Sequence, residues 1–177
     1  KIVVIGAISS GKTNLVEYFM NNRRPEKSEP TIGVQFQTKQ IITDGKEYIM
    51  NIWDTSGEEK TNSLAKIYYR NAQAALAVFD LSSKQSFKEV QFWINELKLS
   101  TDCDFVLVGN KSDLEQRVDD NEIDQFLKMT DCCKGFIKTS AITGNNVYQA
   151  FLEAVKSADS RTQNMQLKLK TDSGKRC

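Results

Sequence analysis

Gly6-Ala7-Ile8-Ser9-Ser10-Gly11-Lys12-Thr13 has the spacing G-x-x-x-x-G-K-[ST] of a phosphate-binding loop. An apolar run, Ile2-Val3-Val4-Ile5, precedes it. A helical pattern with Leu15, Val16, Phe19 and Met20 on one side follows. Strand before and helix after are the context this motif needs, because the loop works by aiming backbone N–H groups at an anion. The glycines let the backbone turn tightly and approach a polyphosphate. The cradle and the start of the helix would supply Ser9, Ser10, Gly11, Lys12, Thr13 and Asn14. Lys12 can reach the β- and γ-phosphates, and the Thr13 hydroxyl can bind Mg²⁺. The plainer alternative is a glycine turn before an ordinary helix.

Downstream, the pattern alternates. Residues 34–42 and 46–53 read as strands, with Asp44-Gly45 between them as a hairpin signal. A short helix is expected near 65–71, a buried strand over 74–80 and a helix over 84–99. A strand over 105–109, a helix over 120–130, a strand over 135–139 and a helix over 145–158 complete the series. Such alternation predicts an α/β fold, a mostly parallel sheet with helices on both faces and its ligand at the carboxyl ends of the strands. The polar stretch from Asn21 to Pro30 reads as an exposed loop.

Two further motifs fall at strand ends. Trp53-Asp54-Thr55-Ser56-Gly57 puts a carboxylate where it can hold Mg²⁺, usually through water, and Gly57 can offer an N–H to a γ-phosphate. Asn110-Lys111-Ser112-Asp113 follows the strand at 105–109. Its Asp113 can accept from the N1–H and exocyclic amine of guanine. Adenine would leave that carboxylate unpaired, a difference able to discriminate by roughly 10⁴. Asn110 and the Lys111 stem would frame the ring and tie this loop to the phosphate loop. After the last strand comes Thr139-Ser140-Ala141, where the Ala141 N–H could meet guanine O6 and Ser140 could brace the turn. Read singly, each of these motifs could be a solvated turn.

Composition narrows the class. The chain has 177 residues, 40% of them hydrophobic and 27% charged, with a net charge of +1. One domain with a real core is expected, and nothing global calls for nucleic acid. No apolar run is long enough to span a bilayer and no signal peptide is visible. The chain starts inside its first strand pattern without Met, so an earlier start is expected. Cys103, Cys132, Cys133 and Cys177 form no C-x-x-C pair and there is no His. That argues against zinc and imidazole catalysis, and fits a reducing compartment. The domain is expected over residues 1–158 and a flexible basic tail over 159–177. From Arg161 onward the tail loses apolar periodicity and carries a net charge of +4.

Taken in order, G-x-x-x-x-G-K-T, Thr31-Ile32-Gly33, W-D-T-S-G, N-K-S-D and K-T-S-A resemble the Ras superfamily of small GTPases. Ile32 to Phe36, Ile52 to Thr55 and Tyr68 to Ala72 look most like the Rab family of membrane-traffic GTPases. Ser63-Leu64-Ala65 and Gln73-Ala74-Ala75 are similar to its early-endosomal branch. The resemblance implies a monomeric GTPase with a six-stranded sheet in which one strand is antiparallel. It implies GTP/GDP and Mg²⁺, with Thr13, Thr31 and Asp54 at the metal. It makes the Thr31 loop and the stretch from Asp54 to about Tyr69 two switches ordered by the γ-phosphate. Phe36, Trp53 and Tyr68 match an aromatic trio that effectors read; plain core packing is the alternative. Expected partners are an exchange factor, a GTPase-activating protein, effectors and a GDP-dissociation inhibitor, on the cytosolic face of endosomal or other transport membranes.

Departures fall on the catalytic parts. Glu58 stands where the family usually has Gln, beside catalytic Lys12 and Thr31. A carboxylate accepts only, so it could draw a proton from water or repel the γ-phosphate. Ser56 and Thr61 also differ from the usual Ala and Phe. Arg24 occupies the place of the aromatic that lies over guanine, and a guanidinium can stack there. Ile142 replaces a usual Lys at the base. Cys177 after Lys175-Arg176 invites lipid attachment, though it matches no C-a-a-X box. The expected function is a slowly hydrolysing GTP switch in vesicular or endosomal traffic. A GTP-binding scaffold silenced by Glu58 is the alternative, and a small metabolite kinase disfavoured by N-K-S-D is the third.

Overall fold

A computed structural model describes residues 1–26, 31, 33–56 and 65–173. Gly57, Glu58, Thr61 and Cys177, all singled out above, lie outside the described residues. In chain order the elements are β1 (Ile2–Gly6), α1 (Lys12–Asn21), β2 (Val34–Thr43), β3 (Lys46–Thr55), α2 (Ala65–Tyr69), β4 (Ala74–Asp80), α3 (Lys84–Ser100), β5 (Asp104–Asn110), α4 (Asp120–Lys128), β6 (Cys133–Lys138) and α5 (Val147–Ser173). The sheet order is β2-β3-β1-β4-β5-β6. Among the described strands only the β2–β3 pair is antiparallel, as the Asp44-Gly45 signal requires. Both turn residues sit in the left-handed region, at φ 52 and 73°, where Gly and Asp are tolerated best.

β1, β4 and β5 are apolar through their centres, at Ile2–Ile5, Ala74–Phe79 and Phe105–Val108, because helices cover both faces of the sheet. Their side chains divide by period two. Val3, Ile5, Ala75, Ala77, Phe79, Phe105 and Leu107 join Phe87, Val90, Trp93, Ile94 and Leu97 of α3 and Ile123 of α4 in one core. Ile2, Val4, Leu76, Val78, Val106 and Val108 meet Leu15, Val16 and Phe19 of α1 and Val147, Phe151 and Val155 of α5 in the other. Ser83 and Asp119 cap α3 and α4, accepting from the N–H of Ser86 and Asn121.

The helix read over 145–158 needs correcting. It begins at Val147 and its backbone continues to Ser173, through the stretch expected to be a linker. No Gly or Pro occurs between Val147 and Ser173, and Gly174 is the first breaker. Propagating a helix already nucleated against the sheet needs only good formers, not an apolar face. Arg161 donates to the Asp102 carbonyl, fixing this part of α5 to the loop before β5. Asp159 accepts from Lys46 Nζ and Tyr48 Oη, each at 3.1 Å, which ties the hairpin tip to the same helix. β6 also starts earlier than expected, with an irregular register between Phe105 and Leu107. No described helix is long and apolar enough to cross a membrane.

Candidate functional site

Sheet order reverses at β1, whose neighbours β3 and β4 run to opposite edges. A crevice opens there at the carboxyl ends of the strands. The loop after β1, the end of β3 and the loops after β5 and β6 therefore meet, although they are far apart in the chain.

The phosphate loop is shaped by what its glycines permit. A Cβ on Gly6 would lie 2.0 Å from the Val78 carbonyl oxygen, and one on Gly11 would lie 2.3 Å from Asn110 Nδ2. Gly11 also sits at φ 88°, so no side chain fits either place. Ser9 is exposed with φ 59°, whereas Ser10 is buried and its hydroxyl has no hydrogen-bond partner among the described residues. Lys12 is buried, its ammonium held by the Gly6 and Ala7 carbonyls at 3.0 and 2.8 Å. The positive charge is thus kept inside the cradle, above N–H groups of the first turn of α1. Asn14 is half-buried on that turn.

Beside it stands the metal-type cluster. The Thr13 and Thr31 hydroxyls are 2.5 Å apart, which brings the loop before β2 onto the start of α1. Asp54, at the end of β3, is fully buried, and neither carboxylate oxygen has a hydrogen-bond partner among the described residues. Burial raises its pKa to about 6; the nearby Thr13 hydroxyl and Lys12 ammonium offset this only in part. A buried, unpaired carboxylate next to two hydroxyls is a hard-oxygen donor set suited to Mg²⁺. The donor set and the cradle fit a Mg²⁺–polyphosphate. Gly33 holds this arrangement at one side, since its carbonyl accepts the Ser56 N–H at 2.9 Å.

Asn110 ties the two ends of the site together. Its Nδ2 donates to the Ser10 carbonyl at 2.9 Å. Its Oδ1 accepts from the Thr139 hydroxyl at 3.1 Å and from the Ala141 N–H at 3.3 Å. The Ala141 donor expected at guanine O6 is therefore engaged, weakly, within the protein. Asp113 accepts from the Ser140 hydroxyl at 2.5 Å. Its side chain is exposed, so desolvation of that carboxylate has to come from the base itself. Lys111 stands in the left-handed region at φ 61° and pairs with Asp80 at 2.7 Å. Ile142 is partly exposed at the rim, and Arg24 lies exposed beyond the end of α1.

Asp80 and Thr139 join the site only through tertiary contacts, to Lys111 and to Asn110. Asp80 ends a buried strand as Asp54 does, and that shared position was the available signal. Ile8, on the phosphate loop, is 52% exposed. The aromatic trio comes together on the surface. Phe36 and Trp53 ring centres lie 5.1 Å apart and Trp53 and Tyr68 5.8 Å apart. Phe36 is 54% exposed, whereas Trp53 also packs on the core and Tyr69, not Tyr68, is the fully buried tyrosine.

Comparison with known proteins agrees with this geometry. The Ras family profile, described as "Ras family", matches residues 1–160. The chain is 42% identical over 160 residues to the GTP-binding protein YPT53 of Saccharomyces cerevisiae, covering 85% of this chain and 72% of that protein. It is 42% identical over 155 residues to the Ras-related protein Rab-11C of Dictyostelium discoideum, covering 85% and 68%. With the Ras-related protein RABA1b of Arabidopsis thaliana the identity is 39% over 159 residues, covering 88% and 73%. Matches of this length and identity, over a sheet and loops of this order, place the chain in the Ras family, as a Rab-type small GTPase that binds GTP and GDP with Mg²⁺.

Proposed function

We propose that this GTPase is a membrane-traffic switch in which Thr31 reports the γ-phosphate. The observation that carries the reading is the 2.5 Å contact between the Thr13 and Thr31 hydroxyls beside the unpaired Asp54 carboxylate. One of these threonines belongs to a helix, the other to a loop joined to the sheet edge. A ligand that engages both would fix the loop, and its loss would release it. Lys12 and the first-turn N–H groups of α1 bind and orient the β- and γ-phosphates. Gly57 adds an N–H to the γ-phosphate. Mg²⁺, when bound, neutralises charge on the β- and γ-oxygens. Asp113, with the Asn110 and Lys111 frame, selects guanine, helped by Ser140, Ala141 and Ile142, and Arg24 stacks on the base.

Glu58 sets the rate of hydrolysis in this reading. Unlike Gln it has no N–H to give to the transition state, so turnover is slow and the GTP state long-lived. Single-turnover hydrolysis by the wild type and by Glu58→Gln tests this: the variant is expected to be faster, and equal rates would remove any role for Glu58. Phe36, Trp53 and Tyr68 form the effector face; support comes from their contiguity and from the exposure of Phe36. An exchange factor, a GTPase-activating protein and a GDP-dissociation inhibitor complete the cycle. The site of action is the cytosolic face of endosomal or related transport membranes. Lipid attachment at Cys177 would supply the anchor, and mass spectrometry of native protein with a bare Cys177 would refute that.

A further inference from the structure

The loop that follows β6 is a tight knot. Ser140 Oγ accepts the N–H groups of Ile142 and Thr143 at 3.2 and 3.1 Å and donates to Asp113. The Ser140 N–H donates to the Asn145 carbonyl at 3.1 Å, and Gly144 closes the turn by donating to the Ser140 carbonyl at 2.8 Å. Gly144 lies in the left-handed region at φ 83°. A second feature sits against it. A Cβ on Gly144 would be 1.9 Å from Tyr18 Oη, 2.2 Å from Cζ and 2.7 Å from Cε1. The space a side chain would need is filled by the end of the Tyr18 ring.

Tyr18 rises from α1, the helix whose first turn carries Lys12 and Thr13. It is half-buried and packs at the edge of the core between α1 and α5. Its ring therefore spans from the phosphate-bearing helix to the turn that carries Ser140 and Ala141. We propose that Tyr18 is a positioning residue for guanine recognition: it buttresses Gly144 and holds the Ser140–Asn145 turn at the height where the Ala141 N–H, held only weakly by Asn110 at 3.3 Å, can turn to the O6 edge of the base. This rests on the guanine reading of that turn given above. Gly144 is glycine for two reasons, its φ and the ring beside it. The ring gives α1 a second hold on the ligand, at the base as well as at the phosphates.

The test is the dissociation of fluorescent GDP from the full chain, with two base analogues as competitors. Inosine diphosphate keeps O6 and the N1–H and lacks the amine that Asp113 accepts from; 2-aminopurine riboside diphosphate keeps the amine and lacks both O6 and the N1–H, so the preference over inosine diphosphate, which reads the Asp113 contact alone, is the control for that second loss. Tyr18→Leu keeps apolar packing on α1 but does not reach Gly144; Tyr18→Ala removes the ring altogether. Both are expected to release GDP about five- to tenfold faster, the scale of one weakened hydrogen bond in a dry site. The preference for GDP over the 2-aminopurine analogue should shrink by the same factor, and the preference over inosine diphosphate should hold. Tyr18→Phe, which keeps Cζ against Gly144, should behave as wild type. Unchanged preferences in a folded Tyr18→Leu would overturn the proposal, as would equal losses for all three nucleotides. A wild type that does not distinguish GDP from the 2-aminopurine analogue would overturn the O6 reading of the turn, and the role of Tyr18 with it.

Discussion

Replacing Asn110 by Ala removes one side chain and disconnects three loops. The amide is 1% exposed. Its Nδ2 bond to the Ser10 carbonyl is 2.9 Å long, and its Oδ1 bonds to Thr139 and Ala141 are 3.1 and 3.3 Å. A buried neutral hydrogen bond contributes about 1 kcal/mol net, and a group left without a partner costs about 1–3 kcal/mol. The Ser10 carbonyl, the Thr139 hydroxyl and the Ala141 N–H would all lose this partner. Water entering the gap would restore part of the loss, so about 3–4 kcal/mol of destabilisation is expected. The nucleotide feels the same change, because the phosphate loop and the base turn lose their common tether. Loss of about 1.4 kcal/mol in that alignment already means tenfold weaker binding. Urea unfolding at fixed free GDP gives the stability, and fluorescent GDP dissociation gives the coupling. Thr139→Val alone removes only the 3.1 Å bond and should cost about 1 kcal/mol. In the Asn110→Ala background the same change should cost much less, since its partner is already gone. Additive effects of the two substitutions, or Asn110→Ala with wild-type GDP dissociation, would refute the idea of a single tether.

Asp80 governs stability in acid. Burial pushes its pKa up, but hydrogen bonds from Lys111 and from the Ser82 hydroxyl and N–H outweigh that and hold it below the usual carboxylate range. A depressed folded pKa means stability that is present above the unfolded value, near pH 4, and is lost as pH falls through the folded value. Asp80→Asn should therefore be less stable than wild type at pH 7, with the gap closing below about pH 4; parallel curves from pH 7 to 3 would contradict the ion-pair account. Asp54→Asn should act with opposite signs in two conditions. Without Mg²⁺ it removes a buried carboxylate that has no hydrogen-bond partner among the described residues and should raise the unfolding midpoint, by the equivalent of about 1–3 kcal/mol. With Mg²⁺ and GDP it should instead speed nucleotide release. A lower midpoint in EDTA and unchanged release in Mg²⁺ would remove Asp54 from the metal cluster.

The family could be read from the sequence because its chemistry is written in short stretches. Gly6 to Thr13 needs only local backbone geometry, with glycine where a Cβ would strike Val78 or Asn110. Asp44-Gly45 dictates a two-residue turn for the same kind of reason. Apolar runs and helical spacing located each element, and their alternation implied the parallel sheet. The end of α5 escaped this reading because periodicity reports which face is buried, not whether the backbone is helical. A segment without Gly or Pro can continue a helix whether or not it carries an apolar stripe.

Tertiary structure alone decided which distant groups meet. Asn110 reaches Ser10 across 100 positions of sequence, and Lys46 and Tyr48 reach Asp159 across more. Lys111 finds Asp80, Thr13 finds Thr31, and Tyr18 fills the space beside Gly144. None of these pairs has a spacing that encodes it. Each follows from strand order and crossover connections, which place the carboxyl ends of β1, β3, β4, β5 and β6 along one edge. Sequence determined the residues capable of holding a nucleotide; the order of strands determined how they hold one another.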